Sequence, residues 1–217
     1  MKVVFSYMSK LAPTASDERY HHGNLRLALI AAAELELAAS GPEKFSLRSC
    51  ARRANVSHAA PAHHFGDAAG LLDALAALGF QRLGTTMQIE MDATDHDPAN
   101  QLAAASVGYV RYAVENPHLF SLMFTTQFKS AASLDLIEKS ELAFNVLVKI
   151  VAERSGTSPL ATADGWINIA ALWASVHGYA QLLIGSQMAM LTAVDFDGHR
   201  SAIKQIALRS VLKADGP

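Results

Sequence analysis

The chain of 217 residues contains a single cysteine, Cys50. No intrachain disulfide can form, so packing alone holds the fold, as suits a reducing compartment. A charge excess is also missing: 18 Lys and Arg stand against 20 Asp and Glu, for a net charge of −2. The chain is therefore not a general polyanion binder, and any affinity for nucleic acid must come from local placement of positive side chains. Runs of alternating β-branched residues, which would mark strands, do not occur. Apolar stretches such as 28–33 and 71–78 are broken by charge before the ~18 residues a membrane span needs, so no membrane association is expected. Residues 1–11 lack a long apolar stretch and a small-residue cleavage site, and a cytoplasmic protein without a secretory signal is expected.

Catalytic signatures are likewise absent. No Ser-His-Asp arrangement, carboxylate pair or Gly-rich phosphate loop is found. The histidine doublets His21-His22 and His63-His64 are adjacent rather than spaced i, i+4, and neither Cys nor carboxylate completes a ligand set. Neither an enzyme, a cofactor nor a metal site is expected.

What remains is abundant helical pattern, in a chain 51% hydrophobic and able to build a sizeable core. Residues 1–18 carry no sustained period and read as a flexible arm. From Asn24 to Ser40 the apolar positions Leu25, Leu27, Ala28, Ile30, Ala31, Leu35 and Ala38 describe a helix that Gly41-Pro42 ends. Residues 46–65, SLRSCARRANVSHAAPAHHF, fit two short helices with a tight turn between them. Ser46 is placed to cap the first, whose Leu47, Cys50, Ala51 and Ala54 share one apolar face while Arg48, Arg52 and Arg53 point outward. Asn55 suits a left-handed helix exit, Val56 the corner, and Ser57 the cap of the next helix. Two helices so joined cross steeply and present the second as a ridge that fits a major groove about 12 Å wide.

A break at Gly66-Asp67 precedes a long helix from Ala68 to Asp92 with Leu71, Leu72, Leu75, Leu78, Phe80 and Leu83 buried. Further helical runs follow over 100–114, 118–127, 131–154, 159–190 and 199–212. The expectation is an all-α protein of about nine helices. The stretch 164–190 is apolar almost all round, which places it inside the fold or against a partner subunit; with the closing helix it suits a homodimer interface.

The order of a first helix, a helix-turn-helix, a long connecting helix and an all-helical remainder resembles the TetR family of transcriptional regulators. The likeness is most specific over residues 54–72, ANVSHAAPAHHFGDAAGLL, where Ala54, Val56, Ser57, His64, Phe65 and Leu71 match the family pattern. Trp173, His177 and Gly178 are similar to the Trp-His-Gly motif of one subgroup's effector domain, and NPHLFSLMF at 116–124 also looks like that subgroup. Two positions depart: Ala62 stands where the family has tyrosine in Y-x-H-F, and Ala68 where it has a lysine. Both family residues hold backbone phosphates, so their loss weakens binding to any sequence.

The resemblance implies a helix-turn-helix domain over 19–66 and a helical effector-binding and dimerisation domain over 67–217. The candidate DNA contacts are Ser46, Arg48 and Arg52 with Ser57, His58, Ala59, Ala60, Ala62 and His63. Small residues in the second helix can approach thymine methyls, and histidines can donate to guanine or phosphate. The candidate effector contacts are Tyr112, Phe120, Met123, Phe124, Gln127, Phe144, Trp166, Trp173 and His177, large apolar surfaces with a few polar tips, beside Tyr109 and Phe128. The expected protein is a ligand-responsive homodimeric repressor, released from a palindromic double-stranded operator by a mainly apolar small molecule. The alternatives are a helical small-molecule sensor with weakened or lost DNA binding, which Ala62 and Ala68 favour, and a small helical enzyme.

Overall fold

In the computed structural model, residues 15–124, 132–156, 158–185 and 195–211 are described, with backbone only at 15–24 and 155. Among them are nine α-helices and no strand: α1 (Ala15–Ser40), α2 (Leu47–Arg53), α3 (Ala60–Phe65), α4 (Ala68–Asp92), α5 (Pro98–Glu115), α6 (Pro117–Met123), α7 (Leu134–Ser155), α8 (Ala163–Ile184) and α9 (Phe196–Val211). Single 3₁₀ turns at Pro42–Lys44 and Pro159–Ala161 join them. Two compact units result, Met1–Leu71 and Leu72–Pro217, and the division falls inside α4.

In the first unit, α1 begins at Ala15, well before the expected Asn24. The face it buries also differs. Leu29, Ile30, Ala33 and Leu37 are in the core, whereas Leu27 and Leu35 are 67% and 61% exposed. The helix is apolar on two sides, so periodicity does not choose between them. The choice is fixed by Glu36, whose carboxylate turns inward to accept from Arg53 Nε at 2.7 Å and from Ser40 Oγ at 3.0 Å. Cys50 and Ala51 of α2 complete this core at 0% exposure. Gly41 ends α1 at φ 71°, donating to the Leu37 carbonyl.

The first turn of α4 belongs to this unit, which ends at Leu71. Asp67 Oδ1 caps that turn by accepting from Gly70 N, and a Cβ at Gly70 would collide with the Phe65 carbonyl.

The second unit is organised around α5. Asp97 caps it by accepting from Ala99 N and Asn100 N, and nearly every later residue of the helix is buried. Gly108 lets α5 approach α4 closely, since a Cβ there would meet Met87 Cα at 2.7 Å and Thr86 O at 2.8 Å. Glu90 of α4, a half-buried acid, is held by Arg111 of α5 and Arg200 of α9, each at 2.8 Å. Such charge-assisted bonds are directional as well as strong, and they tie three helices together at one point. Caps set the remaining boundaries. Ser133 starts α7 three residues later than expected, Gly156 ends it at φ 70°, and Thr162 starts α8 after the 3₁₀ turn.

One helix, α8, is long and apolar enough to cross a membrane, contrary to the expectation that charge interrupts every run. Its buried residues Ile169, Leu172, Val176, Ala180 and Leu183 follow a helical period and pack the unit's core, while Ile167, Ala170, Ala174 and Leu182 are exposed. The part of the expected run beyond Gly185 lies outside the described residues up to 194.

Candidate functional site

Two sites emerge, one in each unit. In the first, α2 exits through Asn55, the one non-glycine residue with positive φ (55°) among those described. Val56 N then donates to Ala51 O at 3.0 Å, so the chain turns back within three residues. The expected cap of the next helix is displaced. Ser57 instead starts a turn, its carbonyl accepting from Ala60 N, and α3 begins at Ala60 with Ala59 as N-cap. Pro61 explains the shift. A helix starting at 58 would need a proline amide in its interior, whereas from Ala60 the proline falls in the first turn, where no intrahelical donor is required. Ser46 occupies the N-cap of α2 in extended backbone, but its hydroxyl makes no capping bond. The first amides of so short a helix lie near the surface, where solvent can reach them.

Exposure follows the predicted pattern closely. Ser57, His58, Ala59, Ala62 and His63 are exposed, as are Arg48 and Arg52; Ser46 and Ala60 are half-buried. Pro61 is buried beneath the helix, and His64 and Phe65 are half-buried. Arg53 is committed to Glu36, and Arg26 lies 5.2 Å over the Phe65 ring, so neither is a free cation. That leaves Arg48 and Arg52 of α2 beside the small, imidazole-flanked surface of α3. Arg53 holds the Glu36 carboxyl below its ordinary value of 4.5, although burial opposes it. Burial, aided by Glu36, pushes the Cys50 thiol up to about 11. A buried, protonated thiol is no redox sensor.

In the second unit, α4, α5, α7 and α8 line a half-open cavity of about 370 Å³, with Trp166 and Trp173 at its exposed side. Its walls are Phe80 and Leu83 from α4, Tyr109 from α5, Phe124, one face of α7, and Trp166 with Trp173 from α8. Of the expected effector contacts, Phe124, Phe144, Trp166 and Trp173 line it. Phe120 and Tyr112 are buried, at 0% and 2% exposure, and pack within the unit's interior. Met123 lines a second cavity, and Gln127 lies outside the described residues. His177 stands behind the wall. Its Nδ1 is 2.8 Å from the Tyr109 hydroxyl, and its ring stacks on Phe120 at 5.4 Å and meets Phe124 at 4.6 Å. Burial lowers the His177 pKa and raises that of Tyr109, so a neutral imidazole accepting from the phenol fits the pair. His177 thus holds the Tyr109 hydroxyl and is not among the residues that line this cavity.

The wall residues missed by sequence reasoning are Phe80, Leu83, Ser140, Glu141, Ala143 and Leu147. Four positions of α7 (Ser140, Ala143, Phe144, Leu147) recur at i, i+3, i+4 and i+7, a signal that was available but pointed equally to ordinary core.

Residues 102–204 match the family model of the tetracyclin-repressor-like C-terminal domain. No curated protein matches the chain. Among solved structures, a protein of unknown function from Rhodococcus sp. RHA1 is 33% identical, with a TM-score of 0.72 over 88% of this chain and 96% of its own. The TetR family transcriptional regulator PfmR from Thermus thermophilus is 19% identical, with a TM-score of 0.60 over 83% and 97%. NalD from Pseudomonas aeruginosa, the secondary repressor of the MexAB-OprM multidrug efflux pump, is 17% identical, with a TM-score of 0.60 over 90% and 100%. At such identities the last two share the fold with this chain.

Proposed function

We propose that this chain, a member of the TetR family of transcriptional regulators by the match of residues 102–204 to the family's C-terminal-domain model, is a homodimeric cytoplasmic repressor, released from a palindromic operator by a mainly apolar small molecule. The observation that carries the reading is the exposed face formed by His58, Ala59, Ala62 and His63 of the α3 region beside Arg48 and Arg52. Its roles divide by chemistry. Small side chains approach base edges, His58 and His63 donate to bases or phosphates, and the two arginines hold the backbone on either side.

Effector release uses the cavity of the second unit. Phe80 and Leu83 form part of its wall, and both belong to α4, the helix whose first turn is part of the DNA-binding unit. A ligand that fits only one setting of α4 changes the separation of two recognition helices, and operator affinity falls. A ligand bound equally in both settings changes nothing. Dimerisation is supported by the exposed apolar side of α8, with Ile167, Ala170, Ala174 and Leu182. Two heads then engage half-sites about one helical turn apart.

Selection of genomic fragments on the full-length protein tests this. Enrichment of a palindrome whose affinity falls steeply with salt is expected. No enrichment at low salt overturns the repressor reading and favours a sensor without DNA binding, for which Ala62 and Ala68 already argue by lacking the phosphate-holding hydroxyl and ammonium.

A further inference from the structure

A second cavity of about 370 Å³ adjoins the first, since Phe80 and Ser140 line both. Its walls are otherwise apolar except for Asp73 of α4, which is only 7% exposed. Both Asp73 carboxylate oxygens lie 3.3 Å from one donor, the Ser133 amide at the start of α7. A carboxylate offers about four acceptor sites, and a single long, shared amide satisfies little of that capacity. No Lys, Arg or His among the described residues pairs with it. Among the described residues no basic side chain lines either cavity, whereas a second acid, Glu141, lines the first. A buried carboxylate without a counter-charge is costly in apolar surroundings, and the walls that remain are aromatic and aliphatic.

We infer that the effector is an amphiphilic organic cation, its apolar or aromatic body held in the chamber of Trp166 and Trp173 and its ammonium group bonded to the buried Asp73 carboxylate in the adjoining chamber. This rests on the larger cavity being the effector site. An ammonium supplies the missing charge and up to three donors, and the ring faces between the two chambers attract the same charge. Among the described wall residues an organic anion meets two carboxylates and no cation, which disfavours it as well as selecting its opposite. Phe80, shared by both chambers, is where body and head group of such a ligand meet the helix that continues to the DNA-binding unit.

Titration calorimetry of the full-length protein with phenethylamine, phenethyl alcohol and hydrocinnamate isolates the head group, because the three share one apolar body. The amine is expected to bind at least about tenfold tighter than the alcohol, and hydrocinnamate weakest. Asp73→Asn, which keeps an acceptor for the Ser133 amide, is expected to bring the amine to the level of the alcohol, while Glu138→Gln, at an exposed acid of α7 that lines neither cavity, leaves the preference intact. If amine and alcohol bind alike, or hydrocinnamate binds best, the cation inference falls and the effector cavity stands. If none of the three binds, both fall. The wild-type comparison decides the matter even where Asp73→Asn does not fold.

Discussion

In the first unit the residues that can meet a partner lie on helices of six and seven residues and the turn between them and face outward; in the second they line a cavity between helices of 18 to 25 residues. The contrast follows from what each is proposed to bind. A duplex is read by side chains that protrude, and short helices with polar or small surfaces can present them with little core beneath. A small molecule must be desolvated, which needs several long apolar helices to wall it off. The units also carry separate reporters: the single cysteine is at 0% exposure in the first, and both tryptophans line the cavity of the second.

The largest break in this comparison should come from emptying the second unit. Phe120, fully buried against Tyr109 and His177, is expected to cost about 3–5 kcal/mol when replaced by alanine. Denaturant unfolding followed by tryptophan fluorescence measures it, and a loss under about 1 kcal/mol would contradict the packing described.

Surface changes in the first unit should do the reverse, sparing stability and removing function. Arg48→Ala with Arg52→Ala is expected to leave stability within about 0.5 kcal/mol yet reduce the slope of log affinity against log salt by about 1.8, the value for two lost phosphate contacts. An unchanged slope means the arginines are only solvated.

Acid should separate the units by pH window. Burial depresses the His177 pKa below 6.5, so the stability it contributes is complete above that value and is lost as pH falls through its lower folded pKa. Glu36 is also depressed, by Arg53, but from 4.5, so its contribution survives until pH falls below that value. Tryptophan-detected stability should therefore begin to decline before Cys50 becomes open to thiol reagents. His177→Gln is expected to flatten the first decline and Glu36→Gln the second; if each variant leaves its own decline unchanged, the assignments are wrong.

The smallest effect expected is a gain. Ala62→Tyr restores a phosphate-reaching hydroxyl on an exposed position and should tighten binding by about 0.5–1.5 kcal/mol on every sequence tested. A gain on one sequence only would mean that residue 62 reads bases instead.

Much of the architecture was legible in local pattern. The long α4 matched its expected bounds, Asn55 has the positive φ expected of a left-handed helix exit, and Gly41 and Gly156 end their helices where breaks were expected. These are short-range effects, decided by the residue's own backbone freedom and its nearest hydrogen bonds. The outward residues of the α2–α3 segment were readable for the same reason, because a short amphipathic helix has little choice of face.

Where a helix was apolar on two sides, local pattern was silent. The buried face of α1 was settled by Glu36 finding Arg53, seventeen residues away. The cavity depended most on long-range packing. Phe120 and Phe124 are both aromatic, four residues apart, yet one is core and the other wall, because only the meeting of α4, α5, α7 and α8 determines where space is left unfilled. Residue chemistry thus set which helices form and where they stop, while the fit of their side chains against distant partners decided which surfaces closed and which stayed open to a ligand.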